Sequence, residues 1–283
     1  MKKYKVGIVG QGYVGKALKS GFKSDRIEIN TYDKYLSNES SVKNIKELIL
    51  LSEIIFVCVP TPMKKNGECF TEIVEEVVKE IDSFADNRKT VIIKSTVPPG
   101  TTDRLNKIYK KVSLVFNPEF LTEANFLDDF KNQKYLILGG DKKDLVLISN
   151  LYSIVFPEIK MNHTTSINAE IVKYFLNTYL ATKVSFANEM KTLCDLVDAN
   201  YDEIVNLVIQ DTRIGKSHLM VPGPDGKLGF GGSCFPKDIN ALLAFSKSLN
   251  IEMSVIESAI KANLRLRPER DWEKLINRSV IDE

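Results

Sequence analysis

At 283 residues, with 39 basic against 37 acidic side chains and a formal net charge of +2, the chain exceeds one typical domain, and no global field selects nucleic acid or an anionic membrane. Hydrophobic residues at 43% and charged residues at 27% exclude a disordered or fibrous chain. No apolar run reaches the roughly 18–20 residues that span a bilayer, and MKKYKVGIVG enters a strand pattern with no signal-peptide core, so a cytoplasmic protein without membrane or nucleic-acid partners is expected.

From the N-terminus, short apolar runs alternate with amphipathic stretches: YKVGIVG, IEINTYD, EIIFVCVP, TVIIKS, VSLVF and KYLILGG. Val- and Ile-rich strands separated by helical patterns predict βαβ units, hence an α/β, Rossmann-like, doubly wound parallel sheet over residues 1–157. Beyond Pro157 the texture changes. Apolar residues three and four apart from Ile167 to Val197 predict one helix over 165–198. At 1.5 Å per residue it would be about 50 Å long, enough to serve an all-helical second domain over 158–283 and a homodimer contact. Further helices are expected over 201–210, 236–249 and 253–265, the second opening on Pro236. Between them DTRIGKSHLMVPGPDGKLGFGGSCF, rich in glycine and proline, predicts a long functional loop.

The first chemical motif is Gly10-Gln11-Gly12-Tyr13-Val14-Gly15, after a strand and opening a helix. Gly10 suits the tight turn, Gly12 lets a pyrophosphate approach the backbone, and Gly15 permits close helix packing. The second strand ends at Asp33, whose carboxylate would accept hydrogen bonds from ribose hydroxyls and repel a 2′-phosphate, favouring NAD over NADP. Thr96, in KSTVPPG after the fourth strand, is placed either to reach a cofactor or water or to cap the next turn. In NPEFLTE, Glu119 and Glu123 would share a face if the segment were helical, a pair suited to proton transfer or simply a solvated face. Lys173 and Asn177 stand four apart on the long helix, where an ammonium could steady an oxyanion or a lysine could snorkel.

Cys58, Cys69, Cys194 and Cys234 form neither a CxxC pair nor a disulfide framework, and His163 and His218 make no metal site by spacing. Cys58, in a strand, and Cys194, on the long helix, suit inert burial. Cys234 differs. It lies in GFGGSCFPKD with Lys237 and Asp238 close behind and a helix about to start, conditions that make a thiolate nucleophilic.

Taken together, GQGYVG, Asp33, VCVPTP, KSTVPPGT, NPEFLTEA, EIVKYFLNTYLATKVSFANE, DTRIG and GFGGSCFPKD resemble, in order, the nucleotide-sugar dehydrogenase family of UDP-glucose and GDP-mannose 6-dehydrogenases. The resemblance implies an NAD-dependent four-electron oxidation of a sugar CH2OH to a carboxylate, with UDP-glucose as the expected substrate. Cys234 would form a thiohemiacetal and then a thioester, Lys173 and Asn177 would stabilise oxyanions, and Asp238, Thr96 and Glu123 would position and deprotonate water. Glu119, Phe120, Leu121, Phe230, Gly231 and Arg213 would bind substrate, Arg213 from the partner subunit of a homodimer. Gly10, Gly12, Tyr13, Val14, Gly15, Asp33, Lys34, Pro60, Thr61, Ser95, Thr96, Glu123 and Lys237 would contact NAD.

Family members continue more than a hundred residues into a UDP-binding domain, so a short form ending at Glu283 is expected. Lys261, Arg265, Arg267 and Arg270 then form either a solvated helix face or substitute phosphate contacts. Two alternatives stand beside an active enzyme: a two-electron dehydrogenase of the 6-phosphogluconate or β-hydroxyacid type, and an inactive nucleotide-binding remnant. Cys234 with Asp238 argues against the first, which needs no thiol.

Overall fold

Along the first strand, β1 (Tyr4–Val9), Val6 and Ile8 enter one hydrophobic core while Val9 enters another, because successive strand side chains point to opposite faces. The same division recurs in β3 (Ile54–Val57), β4 (Lys89–Ile93) and β5 (Val112–Phe116). A sheet buried on both faces needs helices on both. In the computed structural model, which describes residues 3–282, α2 (Ile45–Leu51), α3 (Glu72–Phe84) and α4 (Thr101–Ile108) cover one face. The other is covered by α1 (Tyr13–Gly21), α5 (Phe126–Lys131) and α6 (Lys142–Tyr152).

With β2 (Ile27–Tyr32), β6 (Tyr135–Gly139) and β7 (Lys160–Thr164), the sheet has the order β2-β1-β3-β4-β5-β6-β7. The switch in strand order beside β1 and β3 opens the crevice where such folds take ligands at the carboxyl ends of the strands. The doubly wound expectation holds, with two departures. The β5–β6 contact is antiparallel, through Phe116 and Gly139. And β7, KMNHT, is an edge strand too polar to stand out as an apolar run.

The chain forms two compact units: residues 1–61 with 71–173, and 62–70 with 174–283. The first unit therefore runs past the expected boundary at 157, because β7 and the first turns of the long helix belong to it. That helix, α7 (Ser166–Leu196), is unbroken over 31 residues. The second unit adds α8 (Tyr201–Val208), α9 (Phe235–Ser248) and α10 (Ser254–Leu266). It is not wholly helical: Met63 bridges both Cys69 and Val280, with Met63 N–H donating to the Ser279 carbonyl at 2.7 Å. Its cores are Ala187, Cys194, Tyr201, Leu219 and Val221, and Ala181, Phe230, Ile239 and Ala259.

Candidate functional site

Each unit carries a glycine-rich turn that leads into a helix. In the first unit Gly10 has φ +91°, and a Cβ there would lie 2.5 Å from the Cys58 carbonyl oxygen. A Cβ on Gly15 would lie 1.9 Å from the Gly10 carbonyl oxygen, whereas one on Gly12 would meet nothing within 4 Å. Gly12 is thus open to a ligand at the N-terminus of α1. Asp33 is oriented by its surroundings: Gln11 N–H donates to Oδ2 at 2.7 Å, and Tyr35 and Leu36 N–H each donate to Oδ1 at 2.9 Å. A carboxylate has about four lone-pair sites, so acceptor capacity remains for a ribose hydroxyl.

These residues fit a dinucleotide. Around them, Tyr13 packs on Phe126 at 5.3 Å, Val14 is half-buried against the core, and the Lys34 ammonium lies 5.8 Å from the centre of the Tyr35 ring. Pro60 is exposed and Thr61 buried. The Ser95 hydroxyl donates to the Val59 carbonyl at 2.6 Å, which commits its proton to the crevice wall, and Thr96 is buried.

Still in the first unit, a charged cluster gathers after β5. Lys173 Nζ donates to the Glu119 carbonyl at 2.7 Å and to Glu119 Oε1 at 3.0 Å, while Leu121 N–H donates to Glu119 Oε2 at 2.8 Å. The two side chains are 4% and 13% exposed. Burial pushes the Glu119 carboxyl up, but the charge of Lys173, the Leu121 N–H and Lys94 outweigh it and hold the group below the usual carboxylate range. The Phe120 ring lies 5.7 Å from the Lys173 ammonium.

The conditional helix over 117–123 does not form. Pro118 disfavours helical geometry at Asn117, and Glu119's own carbonyl and carboxylate hold the segment in an irregular turn. Glu119 and Glu123 therefore share no helix face, and Glu123 sits exposed on the turn before α5.

In the second unit Cys234 is the N-cap of α9, with Pro236 in the first turn. Its Sγ lies 3.8 Å from Ser233 Oγ, and the four cysteines are thiols rather than disulfides. One turn on, Asp238 is 1% exposed. Asn177 Nδ2 donates to its Oδ2 at 2.5 Å and Lys237 Nζ to its Oδ1 at 2.5 Å. Burial pushes the Lys237 ammonium down, but Asp238, Cys69 and Cys234 more than offset it, so its pKa is raised and its charge secured.

The glycine loop before Cys234 is held by side chains that sequence reasoning missed. Asn263 accepts from Phe230 N–H at 2.7 Å and donates to its carbonyl at 2.9 Å, and Asn188 accepts from Gly229 N–H at 3.1 Å. A Cβ on Gly231 would sit 2.5 Å from Arg267 Cζ. Arg267 is only 2% exposed and pairs with Asp271 at 2.7 and 2.8 Å and with Asp225 at 2.5 Å. Neither reading of the basic tail fits it, since it lies in no solvated face and its guanidinium is spent. The Arg267–Asp271 spacing of four was the available signal. Lys261, Arg265 and Arg270 pair on the surface with Glu257, Glu189 and Glu273. Arg213 is 87% exposed and clamps Asp211.

Glu170 was also missed. It is fully buried and accepts from Gly100 N–H at 2.6 Å, Thr102 N–H at 2.9 Å and Thr102 Oγ1 at 2.6 Å, capping α4 from α7. Burial raises its pKa against these donors.

A doubly wound sheet with an open phosphate-binding turn, followed by a helical unit carrying a thiol beside a buried lysine–aspartate pair, defines a two-unit dinucleotide-binding protein. Residues 36–156 match the NAD binding domain, and residues 167–265 the central domain, of the UDP-glucose/GDP-mannose dehydrogenase family. The chain belongs to that family, and the cofactor its first unit is built to take is NAD.

UDP-glucose 6-dehydrogenase TuaD of Bacillus subtilis is 32% identical over 93% of this chain. This chain spans 63% of that relative's length. A UDP-glucose dehydrogenase from the hyperthermophilic archaeon Pyrobaculum islandicum matches with a TM-score of 0.85 at 27% identity, over 96% of this chain and 70% of that one. A 3-hydroxyisobutyrate dehydrogenase from Mycobacterium tuberculosis matches with a TM-score of 0.76 at 14% identity over 95% of each chain, a likeness of fold alone. Among the described residues no group of three His, Cys, Asp or Glu could hold a metal ion, and no helix is long and apolar enough to cross a membrane.

Proposed function

We propose that this chain catalyses the NAD-dependent four-electron oxidation of a nucleotide sugar, UDP-glucose to UDP-glucuronate. The observation that carries the reading is Cys234 at the first turn of α9, one turn before an Asp238 held by Asn177 and Lys237. A two-electron dehydrogenase has no use for a thiol there, whereas an enzyme that must keep an aldehyde between two oxidations does.

Bound NAD would supply the acceptor for each of the two hydrides. Cys234 then adds to the aldehyde carbon: the C–S bond forms, and the carbonyl π pair goes to oxygen, where Lys173 and Asn177 favour the developing charge. Lys237 keeps positive charge near the thiol and so favours the thiolate. After the second oxidation the sulfur holds an acyl group. Water adds to it, the C–S bond breaks, and the pair returns to sulfur; Asp238, Thr96 and Glu123 orient and deprotonate that water.

Glu119, Phe120, Leu121, Phe230 and Gly231 line the sugar's path, with Arg213 offered to a partner subunit's substrate. The exposed apolar stripe of α7 supports a homodimer through that helix: Ile171, Phe175, Tyr179, Phe186 and Leu193 are all exposed at helical spacing.

The test is a count of NADH formed per sugar consumed across a panel of nucleotide sugars. Two supports the reading, one supports the two-electron alternative, and none across the panel supports an inactive remnant. Cys234→Ser should lose acid formation by about a thousandfold or more; full acid yield from it would overturn the thioester step.

A further inference from the structure

Behind the Glu119–Lys173 pair lies a lysine that the mechanism does not use. Lys94 follows β4 and is 4% exposed, and its ammonium donates at 3.0 Å to a neutral amide oxygen, Asn117 Oδ1, rather than to a carboxylate. The same oxygen accepts from Tyr152 OH at 2.8 Å, and Asn117 Nδ2 donates to the Ile137 carbonyl at 2.8 Å. Asn117 is thus a buried hub, joined through Pro118 to Glu119.

The titratable groups facing Lys94 are Cys58 from the end of β3, Glu119 from the turn after β5, Tyr152 from α6 and Lys173 from α7. Burial pushes the Cys58 thiol up to about 12, and burial raises the Tyr152 phenol as well, so both stay protonated in ordinary buffers. Glu119 stays ionised. For Lys94, burial outweighs the favourable charge of Glu119, and Lys173 repels it further, so its ammonium is depressed to about 8. With both lysines charged, the cluster of Lys94, Lys173 and Glu119 carries one net positive charge; with Lys94 neutral it carries none.

We propose that Lys94 is a positioning residue whose proton supplies the net positive charge of the Glu119–Lys173 cluster, so that losing it sets an alkaline limit on turnover. This rests on the reading that Lys173 favours developing negative charge. Removing a unit charge from a partly polar interior is expected to change the stabilisation of a nearby oxyanion by about tenfold in rate.

The experiment compares kcat from pH 6 to 10 for the wild type, Lys94→Met and Lys94→Arg. The wild type should fall by about tenfold through a limb centred near pH 8. Lys94→Met should already be about tenfold slower at pH 7 and lack that limb. Lys94→Arg, which stays charged, should keep the pH 7 rate and lose the limb. A limb near pH 8 that persists in Lys94→Met overturns the inference, as does a Lys94→Met that loses stability while its pH profile keeps the wild-type shape.

A second measurement needs no turnover. A lysine whose folded pKa lies below its unfolded value of 10.5 costs stability fully below about pH 8, and the cost is relieved as pH rises towards 10.5. Relative to Lys94→Met, the wild type should therefore gain Tm between pH 8 and 10. A difference independent of pH overturns the inference. No NADH from any nucleotide sugar would instead sink the proposed function, leaving the stability comparison to decide on Lys94.

Discussion

The two glycine turns do the same job by different means. At Gly10–Gly15 the constraint is backbone against backbone: the missing Cβ atoms would strike the carbonyl oxygens of Cys58 and Gly10. At Gly229–Gly232 it is backbone against side chain: Asn263 Oδ1 would lie 2.3 Å from a Cβ on Gly229, and Arg267 fills the place beside Gly231. Each turn keeps one glycine, Gly12 or Gly232, where a Cβ would meet nothing within 4 Å. The first turn is written in local spacing. The second depends on residues of α7 and α10 more than thirty positions away.

Substitutions can break that contrast. Gly15→Ala should cost the most, on the order of 4 kcal/mol or more, because the Gly10 carbonyl oxygen is backbone and cannot swing aside as a side-chain tip can; urea unfolding measures it. Lys237→Met, which strands the buried Asp238, should cost about 3 kcal/mol at pH 8. Since the folded pKa of Lys237 is raised above its unfolded 10.5, its contribution is complete below pH 10.5 and is lost as pH rises beyond it. The variant's stability should accordingly approach that of the wild type only in strongly alkaline solution.

Gly231→Ala should cost about 2 kcal/mol, because the guanidinium must shift. Pairing it with Arg267→Met should give a strongly non-additive cycle, whereas additivity would mean that Arg267 does not shape the turn. Gly12→Ala should leave unfolding within about 1 kcal/mol yet weaken NAD binding by about tenfold or more, or 1.4 kcal/mol, read by titration calorimetry.

The doubly wound sheet and the long helix were legible because apolar periodicity is local. β7 escaped because Lys160, Asn162 and His163 carry no such pattern. GQGYVG, Asp33 and Cys234 with Asp238 could be picked out from spacing. The partners that complete them could not. The hold of Lys173 on Glu119 joins residues 54 apart, and that of Asn177 on Asp238 joins residues 61 apart; spacing along one chain does not encode such contacts. The shared face of Glu119 and Glu123, conditional on a local helix, is absent for the opposite reason: a proline and a distant lysine impose a turn where local spacing alone would allow a helix.

Glu170 bears on modularity. Its carboxylate caps α4 from the second turn of α7, Ala169 beside it fills the core around β4 and β5, and Lys173 closes the Glu119 turn. A nucleotide-binding fragment cut where the strand-and-helix alternation ends would lose a helix cap, a core residue and a counter-ion at one stroke. The smallest self-sufficient version of the first unit has to carry the opening turns of α7, so the natural seam of this protein lies inside a helix rather than in a linker.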